Sequence, residues 1–297
     1  MRRGACRTAG AVLLATFAGR AALAQGASSL TAFTWLPATT RSAGMAGVGV
    51  ALNGDAGAVF INPAGLATIR HVSIDANVLQ APDRSVVGRA AGALRLYKFD
   101  LGGGIQYLRY TQPAPLTDEL WWTGAAVYRF GMIALSGNVM YASVLDTNGQ
   151  TDRSVSGGAG FQLAVFDIMA IGGTIQNFAS KTITGNGVDQ PVNGRIGFMF
   201  NFVDPQSNAR LLITLEGAYS EGQKPRTLVG VEAGAVLKGI GIVVRGGYGG
   251  NPPASMLGDW SVGGSLILSK HAAVDYAWLP DTPLGGPANQ LGVRLTL

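Results

Sequence analysis

From about residue 70 to the last residue, apolar side chains recur at every second position, with glycine, small polar residues or single charges between them. In the stretch from Arg195, one face reads Ile196, Phe198, Phe200 and Phe202, and the other Arg195, Gly197, Met199 and Asn201. Trp260, Val262, Leu266 and Leu268 alternate with Asp259, Ser261, Gly263, Ser265 and Ser269, and Ala272, Val274, Tyr276 and Trp278 share a face opposite Asp275. The chain closes with Leu291, Val293, Leu295 and Leu297 opposite Gly292, Arg294 and Thr296. Successive strand side chains point to opposite faces, so each segment is a strand with one apolar and one polar side. A soluble sandwich and a membrane barrel both alternate in this way, but a sandwich shows its polar faces to water and carries many Lys and Glu there. Charged residues are only 13% of this chain while hydrophobic residues are 47%, against about 25% charged in an ordinary soluble domain. Beyond residue 24 no stretch is long and apolar enough to be a spanning helix, which needs about 20 residues. A closed barrel is the remaining way to satisfy backbone groups in lipid. The expected fold is therefore all-β, a transmembrane antiparallel up-and-down barrel.

The segments read as 71–80, 85–97, 99–111, 118–129, 131–143, 153–166, 167–178, 191–203, 209–220, 227–237, 239–249, 258–269, 270–279 and 288–297. That is about 14 strands, an even number as in single-chain bacterial barrels; boundary errors of about 2–4 residues leave 12 or 16 open. Trp121, Trp122, Trp260, Trp278 and Tyr110 lie near segment ends, as expected for aromatic girdles at the headgroup level. The connections carry turn residues: Thr147-Asn148-Gly149, Gly185-Asn186-Gly187, Asp204-Pro205, Asn251-Pro252-Pro253 and Asp281-Thr282-Pro283.

The first residues belong to a different kind of segment. Arg2, Arg3 and Arg7 precede an apolar stretch, Ala9 to Ala18, and Ala22-Leu23-Ala24 is an A-x-A cleavage site before Gln25, the order of a secretory signal peptide. An N-terminal anchor is the alternative, disfavoured because the stretch is too short to span. Removing residues 1–24 takes four arginines and no acidic residue, so a net charge of +5 becomes +1. The basic balance is then no argument for nucleic-acid binding. Cys6, the single cysteine, leaves as well, and with it any disulfide or thiolate metal site.

Residues 25–69 lack sustained alternation and are rich in small residues. Asn62 followed by Pro63 suits a helix N-cap with proline at the first helical position. Irregular backbone at membrane depth is tolerated only inside protein or a water-filled cavity. The segment is therefore expected in the barrel mouth or lumen, as a plug, with 70–297 forming the wall. Met45, Val48, Val50, Val59, Phe60, Ile61 and Leu66 would pack it against inward-facing wall glycines.

Two elements of that segment, A-G-M-A-G at 43–47 and D-A-G-A-V-F-I-N-P-A-G-L-A at 55–67, resemble the N-terminal motif of the FadL superfamily, and most closely its PorV/PorQ-type branch. Val231 to Gly250 and Trp260 to Leu297 are similar to that branch's closing strands. Ala46 stands where the motif usually has glycine. The resemblance implies a 14-stranded outer-membrane barrel with a plugged lumen, in which Arg41, Gly44, Met45, Gly47, Asp55, Asn62, Pro63, Gly65 and Leu66 form the plug motif. FadL-type members pass hydrophobic molecules; PorV-type members serve type IX secretion and hold exported cargo. The connections here are too short for large extracellular loops.

No catalytic, cofactor-binding or metal constellation is present. His71 and His271 each sit beside a strand start without further ligands. Gly102-Gly103-Gly104 and Gly246-Gly247-Tyr248-Gly249-Gly250 lack the helix and lysine of a phosphate loop. By strand parity Asp75, Arg195, Glu216, Glu232, Arg245, Asp275 and Arg294 face the lumen, where they either line a path or neutralise one another and plug residues such as Arg41 and Asp55. Unpaired charge in a constricted lumen is costly, which favours pairing. Three functions fit: passage or binding of small hydrophobic molecules at the outer membrane, a secretion accessory anchoring partner proteins, or a structural barrel. None of them makes the chain an enzyme, and the expected partners are outer-membrane lipid and hydrophobic small molecules or secretion-system proteins.

Overall fold

The computed structural model describes residues 32–111, 116–165, 168–188, 190–203, 209–237, 239–251 and 258–297. The expected signal peptide and cleavage site, and the expected Asp204-Pro205 and Pro252-Pro253 turns, lie outside the described residues. Fourteen strands follow one another: β1 (Val72–Gln80), β2 (Val86–Leu96), β3 (Phe99–Arg109), β4 (Leu116–Phe130), β5 (Ile133–Asp146), β6 (Thr151–Val165), β7 (Met169–Thr184), β8 (Asn193–Asn201), β9 (Ala209–Ser220), β10 (Arg226–Leu237), β11 (Ile240–Gly249), β12 (Trp260–Ser269), β13 (Ala272–Leu279) and β14 (Ala288–Thr296). Each pairs antiparallel with its sequence neighbour, and β1 pairs with β14, Ser73 opposite Thr296 and Gln80 opposite Asn289, closing the barrel. Closure removes the free edges that an open sheet would leave.

Alternation decides which way each side chain points. Val262, Leu266, Phe198, Phe200, Val274 and Leu295 are exposed on the outer surface, an apolar belt that is stable when it faces lipid. Trp121 and Trp122 correct the girdle expectation: adjacent strand residues cannot share a face, and Trp122 is 51% exposed whereas Trp121 is 3% exposed and points inward. Tyr110 also turns inward, its hydroxyl on Glu119.

The two rims differ. Where β1 starts and β14 ends, the terminal rim, strand pairs turn through as few as two residues, as at 97–98, 131–132 and 270–271. At the opposite rim the connections are longer, including 185–192 and 280–287. There β7 departs from the expected 167–178 by running on to Thr184. Its ladder with β8 stops at Gln176 opposite Asn193, while pairing with β6 continues to Thr184. Residues 179–184 are exposed on both faces, so no alternation marks them in the sequence. The change comes at Asn177 and Ala179, at φ 61° and 55°, left-handed conformations that break a regular ladder.

Residues 32–69 run through the inside of this wall. They form a 3-10 turn (Ala32–Thr34), a short helix (Thr40–Ala43) and two further 3-10 segments (Ala56–Phe60 and Pro63–Thr68). Thr39 Oγ1 accepts the Ser42 N–H at 3.0 Å, and Asn62 Oδ1 accepts that of Ala64 at 3.2 Å. Both cap a segment too short to hold itself together, so its order comes from the wall around it. Six of the seven apolar residues expected to pack it sit in two inner clusters, Val59, Leu66 and Phe60 on β2–β5 and Met45, Val48 and Val50 on β7–β10; the seventh, Ile61, is buried outside them.

Candidate functional site

Wall glycines leave room for this inner segment. A methyl group on Gly247 of β11 would overlap the Met45 backbone, and one on Gly172 of β7 would overlap the Val50 carbonyl. Gly104 and Gly102 of β3 face Phe60 and Leu66, Gly160 of β6 faces Asn62, and Gly292 of β14 faces Thr40. The close approaches therefore run around most of the circumference. Gly44 lies against Gly263 of β12, Gly65 backs on the Leu52 carbonyl, and Gly47, at φ +90°, turns the chain beside Pro37. Pro63 opens its 3-10 segment, and Asn62 Nδ2 donates to the carbonyls of Val50 (2.7 Å) and Phe161 (3.1 Å). Gln176 of β7 donates to the Phe60 and Ile61 carbonyls at 3.1 and 2.8 Å.

The charges converge as well. Arg41 reaches Asp55 and Glu232, both at 3.0 Å. Arg245 reaches Glu232 at 2.6 Å and Asp275 at 3.0 Å. Arg294 reaches Asp275 at 2.6 Å and Asp55 at 2.7 Å. The six groups form a closed ring of alternating sign, two from the inner segment and four from β10, β11, β13 and β14. A buried ion pair is tolerated only when its remaining lone pairs and protons are satisfied, and in a ring every group has two partners. Arg210 of β9, a residue the sequence reading did not select, adds a 2.6 Å contact to Glu232. Burial pushes the Asp55 carboxyl up, but Arg294 and Arg41 outweigh it and hold the group at about 2. Apart from the ring, Glu216 pairs with Arg195 at 3.0 Å and accepts the Gly49 and Val50 N–H groups at 2.8 and 3.0 Å. Asp75 accepts from Asn77 at 3.2 Å. His271 lies in an exposed turn, with Nδ1 2.7 Å from the Thr296 carbonyl.

Between the inner segment and the opposite rim lies a cavity of about 130 Å³. Phe33, Trp35, Phe60, Trp121 and Met140 give it apolar sides, and Gln106, Asn177 and Arg195 reach it with polar groups. Phe33 meets Trp121 edge to face at 5.5 Å. Gln176, Asn177 and Asn193 also line it, so the cavity borders the place where β7 and β8 part. Residues 185–188 and 190–192 bend back over this seam: the Val188 N–H donates to Ser154 Oγ at 2.7 Å, and Asn177 Nδ2 to the Pro191 carbonyl at 3.0 Å. The sequence did not mark the cavity, because its lining comes from elements far apart in the chain; Trp121, Phe60, Ile61 and Arg195 had been singled out, but for a girdle, the plug and the lumen rather than for one cavity.

No protein-family model and no curated protein matches the chain. Solved structures are similar over most of its length. The CymD monoaromatic hydrocarbon channel aligns with a TM-score of 0.63 at 11% identity, over 91% of this chain and 99% of its own. The Ralstonia pickettii toluene transporter TbuX gives 0.61 at 13% identity, over 87% and 98%. A Pseudomonas aeruginosa FadL homologue gives 0.54 at 12% identity, over 87% and 98%. At such identities the likeness is one of architecture: this chain has the barrel fold of these proteins.

Proposed function

We propose that this protein passes small hydrophobic molecules, about the size of a single aromatic ring, across the outer membrane, with residues 32–69 as the plug. The observation that carries the proposal is the aromatic-lined cavity between the rim and the inner segment. Its volume, about 130 Å³, is in the range that holds one benzene ring, about 150 Å³. The fold of the toluene and monoaromatic-hydrocarbon channels supports the same substrate class. Short turns at the terminal rim and longer connections opposite support a periplasmic terminal rim, with the cavity opening toward the outside. A molecule held there leaves by displacement of the plug or along the β7–β8 seam.

The test is the rate at which labelled toluene enters cells that express the protein and lack other channels of this fold. The rate should rise with expression and return to background in Ala218→Phe, which fills the cavity from β9. Unchanged uptake with the protein correctly inserted would reject the proposal. The likeness of residues 43–47 and 55–67 to the PorV/PorQ branch motivates a second reading, a secretion accessory. Stable co-purification with secretion components from the native membrane would support that reading instead.

A further inference from the structure

Beside the cavity, on the inner face of β2–β4, polar groups lie buried without partners among the described residues. Arg89 is 3% exposed. Its Nε donates to Gln106 Oε1 at 2.8 Å, yet Nη1 and Nη2 are buried and unpaired. In register across the wall, Arg89 stands opposite Gln106, and Gln106 opposite Trp121, whose indole Nε1 is also buried and unpaired. Glu119, two residues before Trp121, accepts the Ala32 N–H at 3.1 Å and the Tyr110 hydroxyl on Oε1. The Phe33 N–H lies beside the same carboxyl, and Oε2 has no partner in hydrogen-bond geometry. Buried guanidinium and indole N–H groups left without hydrogen bonds are costly; a well-packed wall does not retain such a set without something to satisfy it.

One ring covers the pit. Phe33 lies 5.5 Å from the Arg89 guanidinium and 5.5 Å from Trp121, and it also lines the cavity. A cation over an aromatic face and an edge-to-face neighbour are the contacts that a small aromatic ligand would itself make. We propose that the Arg89–Trp121 pit is a binding site for a hydroxyl-bearing monocyclic aromatic molecule, whose ring takes the place of Phe33 while its oxygen meets the unpaired groups. This deepens the reading of the protein as a passage for single-ring molecules and rests on it. The polarity of the pit selects the class. The Arg89 and Trp121 N–H groups need an acceptor and Glu119 can take a donor, so a hydroxyl serves both. A bare hydrocarbon serves neither, and a carboxylate would stand against Glu119. Phe33 is then a built-in occupant, carried on a 3-10 turn of three residues.

Fluorine NMR on the purified full chain in detergent tests this with 4-fluorophenol, 4-fluorotoluene and 4-fluorobenzoate, each corrected for its shift in empty micelles. For the wild type, 4-fluorophenol should bind saturably and about tenfold or more tighter than 4-fluorotoluene, since one satisfied buried hydrogen bond is worth that ratio. 4-Fluorobenzoate should bind more weakly than the phenol. Phe33→Ala should tighten the binding of 4-fluorophenol, and Arg89→Met should erase the preference for phenol over toluene. Equal affinity for phenol and toluene in the wild type would overturn the site while leaving the passage reading intact, and it needs no variant to fold. Benzoate binding most tightly would overturn the assigned class, and an unchanged affinity in Phe33→Ala would overturn the role of the ring. If none of the three probes binds, the proposed function falls along with the site.

Discussion

Gly246 and Gly247 are neighbours in β11 and face opposite ways. A methyl on Gly246 would meet nothing within 4 Å, whereas one on Gly247 would overlap the Met45 backbone. Gly247→Ala should therefore cost about 1–3 kcal/mol, the usual range for overpacking. Gly246→Ala should stay within about 0.5 kcal/mol. A folding titration in detergent compares the two, and equal losses would mean that the inner segment does not press on this wall. Charge on the outer face is similarly position-dependent. Val244 sits mid-strand, opposite Ala233 and Gly264, so Val244→Arg should cost about 2–4 kcal/mol. Phe200 is the next-to-last residue of β8 at the terminal rim, where the same replacement should cost about 0–1 kcal/mol. Both outward positions were legible from parity alone. Their depths were not, because depth depends on strand ends, which the residue pattern locates poorly.

At the scale of elements, the short inner segment is tied to the wall by the ring through Arg41 and Asp55. Asp55 has its folded pKa lowered to about 2 from 3.8. A depressed carboxylate contributes its stability fully above the unfolded value and loses it as pH falls through the folded one. The tie should hold at neutral and mildly acidic pH and weaken between about pH 4 and pH 2. The difference is on the order of 2 kcal/mol, from 1.36 kcal/mol per pH unit. Asp55→Asn should remove that acid dependence and leave Arg41 and Arg294 short of a partner. Limited proteolysis of residues 32–69 across this pH range reads both effects. Equal protection in wild type and variant at every pH would mean that the ring does not anchor the segment. Parity had turned Glu232, Arg245, Asp275 and Arg294 inward, but nothing in the sequence joined them to Arg41 and Asp55 in one ring, since the joining contacts cross up to 239 positions.

For the whole molecule, strand number and filling are linked. Eight strands enclose a space that side chains fill, and 16–18 leave an aqueous channel; a wall of fourteen lies between and needs an internal occupant to be tight. Intact protein in a planar bilayer should be electrically silent, and deletion of residues 41–67 should open a stable conductance. A porin-like current from the intact protein, unchanged by the deletion, would refute the plug.

By itself the sequence determined the barrel and the facing of its strands, because alternation is a local property: each residue's side follows from its neighbour's, and lipid outside demands an apolar answer at every second place. It also set apart 25–69, of which 32–69 are described inside the wall, since backbone without a ladder must be housed by something else. Only the tertiary structure decided the closed ion ring, the overhang of β7 above β8 and the cavity beneath the rim. Each of these depends on how far one strand is staggered against the next and on which inner residue arrives at which depth. Stagger accumulates around the whole barrel and is closed only when β14 meets β1, so no local stretch of residues contains it.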